Sequence, residues 1–571
     1  MKKLIALLLC LVTVASLFAA CGGGTELGGG KAGDGGNSAV GSLEDIPDDL
    51  VLTIGLPVDN RVEDYDTNAY TLWLEEQTGY DLQFVTMQSN ATDYKAQLSS
   101  MLATGDELPD ILWDMQIGSG AYEEYGRDGY FVDLTPYYND KEVSKVFWER
   151  MDELKALDEE YYDYVIRSLT TEDGKMYAAA RIEYSLIDTM VYQTYINQTW
   201  LDNLGLTMPT NPDELYDVLV AFRDKDPNQN GKKDEKPLIC GTSIVGASAT
   251  RWIINMFIYS NDNRWFNVDE NNQLYLPQLT DKYREALQFM RKLKDEGLMF
   301  DTAFSMSNND IKGVMNPPVG EKNTVGVVCG HPTLIFEPGK PSVYEYVAMP
   351  YWGNAVRGEQ LFNVGTFITA DCEYPRAAWE LLMVMNSKEG AYRQRYGEKD
   401  VDYTDADPGT TSFIGLPAEI KVINEDALTG QNNSSWHKIQ GTVLIQSENE
   451  VCQLTEDMGK WVNQKMKIMG DCYRNYVEAE ENNNVDDKYI MPRVVEPEDV
   501  SDSHSNERSN VTSLLNEALA GFVTGKHAKY NNPNDDAQWA AYLAEVESLN
   551  YKLWMDHIQA LYEDQYPERK P

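Results

Sequence analysis

The sequence predicts a two-lobed α/β fold, and three observations carry that expectation. At 571 residues the chain is too long for one compact domain. Its 42% apolar and 11% aromatic content suffices for more than one core. Early in the chain, apolar runs alternate between strand and helix periods, the pattern of a parallel sheet with right-handed crossovers.

Taken in order, Lys2 and Lys3 precede an uncharged run from Leu4 to Ala20 that ends in small residues before Cys21, the pattern of an export signal over 1–20 rather than of a spanning helix. Leu17-Phe18-Ala19-Ala20-Cys21 resembles a bacterial lipobox, which would make Cys21 the lipidated N-terminus; Phe18 departs from the usual Leu or Val. Ten of the twenty residues from Gly22 to Gly41 are glycine, so 21–47 reads as a flexible tether.

Val51-Leu52-Thr53-Ile54-Gly55-Leu56 reads as a buried strand ended by Pro57. Tyr70, Trp73, Leu74 and Gln77 share a helical face that stops at Gly79, with Trp73 expected in the core, and Leu82–Val85 resumes a strand. The unit repeats with Tyr94, Leu98, Met101 and Leu102, a stop at Gly105, and a third strand over 109–113. Asn211-Pro212-Asp213-Glu214 supplies an N-cap, a proline at N1 and a carboxylate at N3, opening a second α/β lobe. A helix over 281–296 and strands over 325–329 and 344–348 extend that lobe. Phe367-Ile368-Thr369 and the helix after Pro375 return to the first, and the C-terminal third reads as mostly helical around Trp461, Met466, Trp539, Leu543 and Val546. The expected organisation is 48–180 plus about 364–445 for lobe 1, and about 181–363 plus 446–571 for lobe 2 and the C-terminal helices.

Charge narrows the function. With 48 Lys+Arg against 92 Asp+Glu the chain carries −44, which excludes nucleic acid as a partner and leaves a lipid, rather than surface charge, to hold it at a membrane. The five His are scattered and read as surface or packing residues; no HExxH, GxSxG or phosphate-binding loop occurs. Carboxylates are so abundant that any glycosidase-like pair is uninformative without geometry, and no catalytic residue is assigned. Of the seven Cys, the five beyond Cys21 cannot all pair, so at least one is a free thiol.

One stretch is specific. In Asp226-Pro227-Asn228-Gln229-Asn230-Gly231-Lys232-Lys233-Asp234-Glu235, oxygen side chains fall at loop positions 1, 3, 5 and 9, with glycine at 6, as a Ca²⁺ loop requires. Lys232 would contribute its backbone carbonyl, and Glu235 would stand in for the bidentate glutamate that Pro237 replaces. The same residue types also favour an Asx-rich solvated turn. The calcium reading is that of a structural brace.

Aromatics supply the binding candidates. Trp113-Asp114 ends the third strand, where open α/β sheets bind ligands, and Tyr122 and Tyr125 follow it. An aromatic face beside a carboxylate suits the C–H face and hydroxyls of a sugar ring. Trp352, in a turn after a second-lobe strand, is placed to close over the same cleft, with Trp252, Trp265 and Trp436 as further candidates. Arg181 and Arg251 could supply local cations, but the overall charge favours neutral oligosaccharides over polyuronates.

Together with the lipobox and tether, Gly105-Asp106-Glu107-Leu108-Pro109-Asp110-Ile111, Asp173-Gly174-Lys175-Met176-Tyr177, the Tyr195–Gly205 segment, Phe522-Val523-Thr524-Gly525-Lys526 and the helices from Trp539 to Tyr562 resemble the extracellular solute-binding lipoproteins of carbohydrate ABC transporters. The likeness is to the maltose-binding-protein-like cluster, in particular its long members such as the alginate-oligosaccharide-binding proteins, and it spans most of 50–565. It implies a type II periplasmic-binding-protein-like fold, closure on an oligosaccharide and delivery to an ABC permease. It also implies a calcium site at Asp226, Asn228, Asn230, Lys232, Asp234 and Glu235. A monomer, lipid-anchored on the outer face of a bacterial cell membrane and without enzymatic activity, is expected. The alternatives are a secreted glycoside hydrolase and a peptide-binding or surface lipoprotein.

Overall fold

The computed structural model describes residues 46–569 except 188–192, 242–248, 262–263, 338–339, 341, 357–360, 425–426, 428–429, 438–442, 446–447, 454–460 and 484. The export signal, Cys21 and the tether before Ile46 lie outside the described residues.

The first strand, β1 (Val51–Pro57), runs parallel to β2 (Asp81–Met87), with Ile54 opposite Phe84. Between them the helix Ala69–Thr78 begins at Asn68, whose side chain accepts the Tyr70 N–H, and stops at Gly79 in the left-handed region at φ 79°. The helix Ala91–Thr104 is built the same way between Asn90 and Gly105. β3 (Ile111–Leu112) is shorter than the five residues expected. Asp110 is the reason: its Oδ2 accepts both the backbone N–H and the hydroxyl of Thr53 at 2.7 Å, so a side chain takes the place of a ladder bond. Gly55 permits the close approach, since a Cβ there would lie 2.9 Å from Pro109 and 3.0 Å from Leu112.

Four helices that the periodicity did not single out follow: Ser119–Arg127, Thr135–Asn139, Lys145–Leu157 and Glu159–Leu169. The remaining strands are β4 (Ala179–Tyr184), β5 (Thr194–Asn197), β6 (Lys236–Ile239), β7 (Asn267–Val268), β8 (Leu274–Tyr275), β9 (Val325–Cys329), β10 (Tyr346–Ala348), β11 (Leu361–Ile368), β12 (Tyr403–Asp405), β13 (Ile420–Val422) and β14 (Val443–Ile445). They form a six-stranded sheet, ordered β14-β4-β11-β3-β1-β2, a four-stranded sheet, β10-β5-β9-β6, and two small hairpins. β11 returns from the second sheet and inserts antiparallel between β3 and β4. The chain thus passes between the sheets after β4, after β10 and after β14, the arrangement of a two-lobe type II periplasmic-binding-protein-like fold.

One core gathers residues between Leu50 and Tyr184 with Val364–Met385 and Trp436. Another gathers Ile196–Val356 with Met491–Tyr566, so the helices Glu498–Thr524, Asp536–Ser548 and Tyr551–Gln565 belong with the second sheet. The segment expected as a strand over 344–348 begins as the helical turn Ser342–Glu345 and turns extended only at Tyr346. Trp73, expected in the core, is only half-buried: it stacks on Tyr70, and the Arg393 guanidinium sits 5.2 Å from its ring. Cys240, Cys329, Cys372, Cys452 and Cys472 are all buried free thiols. No described helix is long and apolar enough to cross a membrane.

Candidate ligand cleft and cation loop

Immediately after β3 the backbone kinks. Trp113 N–H donates to Gly55 O at 2.8 Å, Asp114 adopts φ 58°, and Met115 N–H donates to Gly365 O at 2.6 Å, so the corner is wedged between β1 and β11. Asp114 is buried and its Oδ1 lies 3.2 Å from Nε of buried Arg181 on β4. The pair neutralises two charges that neither could carry alone away from water. Of the two arginines proposed as local cations, Arg181 is therefore committed to Asp114, and Arg251 donates to Asn516 Oδ1 at 2.8 Å.

The structure sorts the aromatic candidates into groups. Trp113 meets Trp436 edge-on at 5.1 Å, inside a cluster that Trp436 also forms with Tyr65, Tyr70 and Phe84. Trp436 is 0% exposed and its indole N–H donates to Thr71 Oγ1 at 3.0 Å, so its polar edge is already used. Tyr122 is buried, its hydroxyl donating to Leu169 O at 2.6 Å and accepting from Tyr177 N–H. Tyr125 is half-buried with its hydroxyl 3.3 Å from Ser99 Oγ. In the second lobe, Trp252 on the helix Ala249–Asn255 lies 5.7 Å from Trp352. The turn carrying Trp352 is held by Asn354 N–H on Asn255 O, and Gly353 (φ 82°) fits because a Cβ would lie 2.7 Å from that same oxygen. Trp265 is not with these two: its ring neighbour is Trp554 at 6.3 Å, and it lines a separate cavity together with Phe266. The indole Nε1 atoms of Trp113 and of Trp352, one in each lobe, are both buried without a hydrogen-bond partner.

Sequence reasoning missed the brace between crossing segments. The Glu450 carboxylate, 1% exposed, accepts from Ser185 Oγ at 3.1 Å, Leu186 N–H at 2.8 Å and Ile187 N–H at 3.5 Å. It ties the segment after β4 to the one after β14. No local pattern marks it, because its donors lie more than 260 positions earlier in the chain.

The 226–235 loop sits between the helix Pro212–Asp224 and β6. Asp226 Oδ1 and Asn228 Oδ1 accept the Asn230 N–H at 3.1 and 3.0 Å, Asp226 Oδ2 accepts the Gly231 N–H at 2.9 Å, and Asn230 Oδ1 accepts the Lys232 N–H at 2.7 Å. Gly231 has φ 74°. The Asn230 amide donates to the Asp234 carboxylate at 3.0 Å, and Asn228 donates to Asn323 O at 3.2 Å, docking the loop on the second lobe. Asp226, Asp234 and Glu235 make no ion pair, and Glu235 Oε1 is buried without a hydrogen bond. Burial first, and then the negative charges of Asp234 and Asp226, raise the Glu235 pKa. That orphaned oxygen beside two unpaired carboxylates fits a bound cation. Among the described residues no trio of His, Cys, Asp and Glu side chains converges as a metal site, so a cation here would depend also on Asn and main-chain oxygens.

Residues 60–392 match the family model described as bacterial extracellular solute-binding protein. Over 512 residues, 87% of each chain, the sequence is 23% identical to the fructooligosaccharide ABC transporter substrate-binding protein FusA of Streptococcus pneumoniae. It is 28% identical over 227 residues, 40% of each chain, to lipoprotein LipO of Bacillus subtilis. Among solved structures, an HMO-binding ABC-transporter-associated solute-binding protein of Bifidobacterium longum infantis superposes with a TM-score of 0.69 at 18% identity, covering 90% of this chain and 99% of that one. FusA in complex with kestose superposes at 0.62 and 18%, covering 91% and 100%. A FusA form described as an EF-hand mutant, bound to fructo-nystose, superposes at 0.60, also at 18% identity and covering 91% and 100%.

Proposed function

Because the chain belongs to the bacterial extracellular solute-binding protein family, we propose that it captures an oligosaccharide between its two lobes and hands it to an ABC importer. In this reading the lobes comprise 48–180 with about 364–445, and about 181–363 with 446–571, with the ends of β4 to Tyr184 and of β11 from Leu361 completing the first-lobe sheet. The chain acts as a monomer tethered on the outer face of the membrane through lipid on Cys21. The observation that carries it is the pair of unpartnered buried indole N–H groups, Trp113 in the first lobe and Trp352 in the second. Donors left without acceptors inside a protein cost free energy unless something else accepts them, and sugar hydroxyls can. Trp252 lies tilted against Trp352, and Asp114 holds the Trp113 corner through Arg181. Tyr125 is an outer contact in this reading, Tyr122 and Trp436 act by packing behind the first-lobe wall, and Trp265, beside Trp554, lies apart from the cleft.

The committed Arg181 and Arg251 support a neutral oligosaccharide. Binding energy would shift the population from open to closed lobes, with no bond made or broken. The loop takes Ca²⁺ through Asp226, Asn228, Asn230, the Lys232 carbonyl, Asp234 and Glu235. The ion supplies charge compensation and a fixed loop shape, not chemistry.

The test is thermal melting of residues 45–571 with a panel of neutral and acidic oligosaccharides in calcium buffer, followed by mass analysis of the glycan. Ligand at 100 times Kd stabilises by about 2.7 kcal/mol, a rise of a few degrees. A selective rise with the glycan recovered intact supports the reading. Cleaved glycan would turn it to a glycoside hydrolase, and no response to any sugar to a peptide-binding or surface protein.

A further inference from the structure

A cavity of about 300 Å³ lies where the helix Glu159–Leu169 of the first lobe meets the second lobe. In a chain of charge −44 its lining is anomalous: Arg264, Arg493 and Arg508 border it, against one lining carboxylate, Glu496. Trp265, Trp554 and Tyr164 supply aromatic walls. Trp265 holds φ 59°, a conformation an L-residue enters only when its surroundings require it.

Arg493 is the informative residue. It is 8% exposed, yet it forms no ion pair and its Nε is buried without a hydrogen-bond partner. What accompanies its charge is aromatic: the guanidinium lies 4.6 Å from the Tyr161 ring and 5.9 Å from Tyr164. Its backbone is fixed from both lobes, the N–H donating to Glu160 Oε1 at 3.2 Å and the carbonyl accepting from Tyr566 Oη at 2.6 Å. Cation–π contacts recover only part of the cost of a buried charge. The other two arginines are partly engaged, Arg264 with Met491 O and, at 3.9 Å, with Glu160, and Arg508 with Glu496 at 3.4 Å. The rim therefore keeps a net positive charge facing a space large enough for one small molecule.

We infer that this cavity is a second ligand site, for a small oxyanion: a carboxylate-bearing sugar ring, or a phosphate or sulfate group. The guanidinium fork of Arg493 binds the anionic end, and Trp265 and Trp554 face the body of the ligand. The candidate cleft residues Trp113, Trp252 and Trp352 do not line this cavity, so the inference stands apart from the sugar reading. Because Tyr164 belongs to the first lobe and the arginines to the second, an anion here would also bias the angle between lobes, and with it the affinity of the cleft.

The experiment is titration of the soluble chain with glucuronate, inorganic phosphate, sulfate and, as a neutral control, glucose, at matched ionic strength, read by calorimetry and melting temperature. Saturable binding of at least one oxyanion, with none by glucose, is expected. Arg493→Gln should weaken it about tenfold or more, and the half-exposed Arg508→Gln, which leaves the buried wall untouched, by less. Response to glucuronate alone identifies a sugar acid as the occupant, and response to phosphate or sulfate alone identifies a tetrahedral anion; either supports the site. Non-saturating stabilisation that persists unchanged in both variants would be the general salting effect of such ions and would overturn it, as would the absence of any response.

Discussion

The corner at Trp113-Asp114 buries its carboxylate, whereas the loop at 226–235 leaves Asp226 exposed and Asp234 and Glu235 half-buried, and the two resolve their charge differently. Asp114 has an internal cation, Arg181, 67 positions later and on a neighbouring part of the sheet. Asp226, Asp234 and Glu235 have none, and Glu235 Oε1 has no hydrogen bond either. A carboxylate paired within the protein is part of the wall of a site. A cluster left unpaired is poised for an ion from outside. Glu450 is a third solution, in which the carboxylate is met by a hydroxyl and backbone N–H groups and braces the crossing segments.

The largest effect should come from breaking the internal pair. Arg181→Met leaves Asp114 buried and uncompensated, and denaturant unfolding should show a loss of about 3–5 kcal/mol. The double variant Arg181→Met/Asp114→Asn should recover most of that loss, since both charges are then gone. If the single variant costs less than ~1 kcal/mol, the corner is wetter than the structure indicates.

For the loop, removing calcium with a chelator should lower the midpoint of the native chain by several degrees, an effect of about 2.7 kcal/mol at 100 times Kd. In Glu235→Gln the chelator should do less, because the variant has already lost a ligand oxygen. An equal response in both proteins would remove Glu235 from the ligand set. Glu450→Gln should cost about 1–2 kcal/mol through weakened charge-assisted bonds, and, under the proposed lobe closure, should alter oligosaccharide affinity as well, because the brace ties two segments that cross between the sheets.

The smallest effect is a pH dependence next to Trp436. Burial, with Arg61 nearby, lowers the His437 pKa to about 4. A group whose folded pKa lies below its unfolded value contributes stability that is present above the unfolded pKa, near 6.5, and is lost as pH falls toward 4. Its contribution to the slope in that window is no steeper than ~1.4 kcal/mol per pH unit. His437 sits at φ 54°, so His437→Asn, which tolerates that conformation, should flatten the slope in melts recorded between pH 4 and 7. An unchanged slope would assign the dependence to other groups.

Much of the architecture was legible because it is written in short-range terms. Asn68 and Gly79 mark the ends of a helix by capping chemistry that needs only neighbours in sequence, and β9 occupies the 325–329 expected from its apolar run. The helix Glu498–Thr524 was not, because its first half, Glu498-Asp499-Val500-Ser501-Asp502-Ser503-His504-Ser505-Asn506, has no apolar period and is ordered by packing against the helix Tyr551–Gln565. Trp436 and Trp352 look alike as isolated tryptophans in loops. Whether a ring ends up 0% exposed in a five-ring cluster or half-buried with a free indole N–H is decided by chain far away in sequence.

By itself, then, the sequence determined the alternation of strands and helices, the caps that bound them and the oxygen spacing of the 226–235 loop, since each depends on residues within about a dozen positions of one another. Only the tertiary structure decided that Asp114 is neutralised by Arg181, that Glu450 ties two crossing segments, and that Arg493 is buried among tyrosines at the lobe junction with no counter-ion. Those are balances of charge and burial between segments tens to hundreds of residues apart, and no local pattern encodes them.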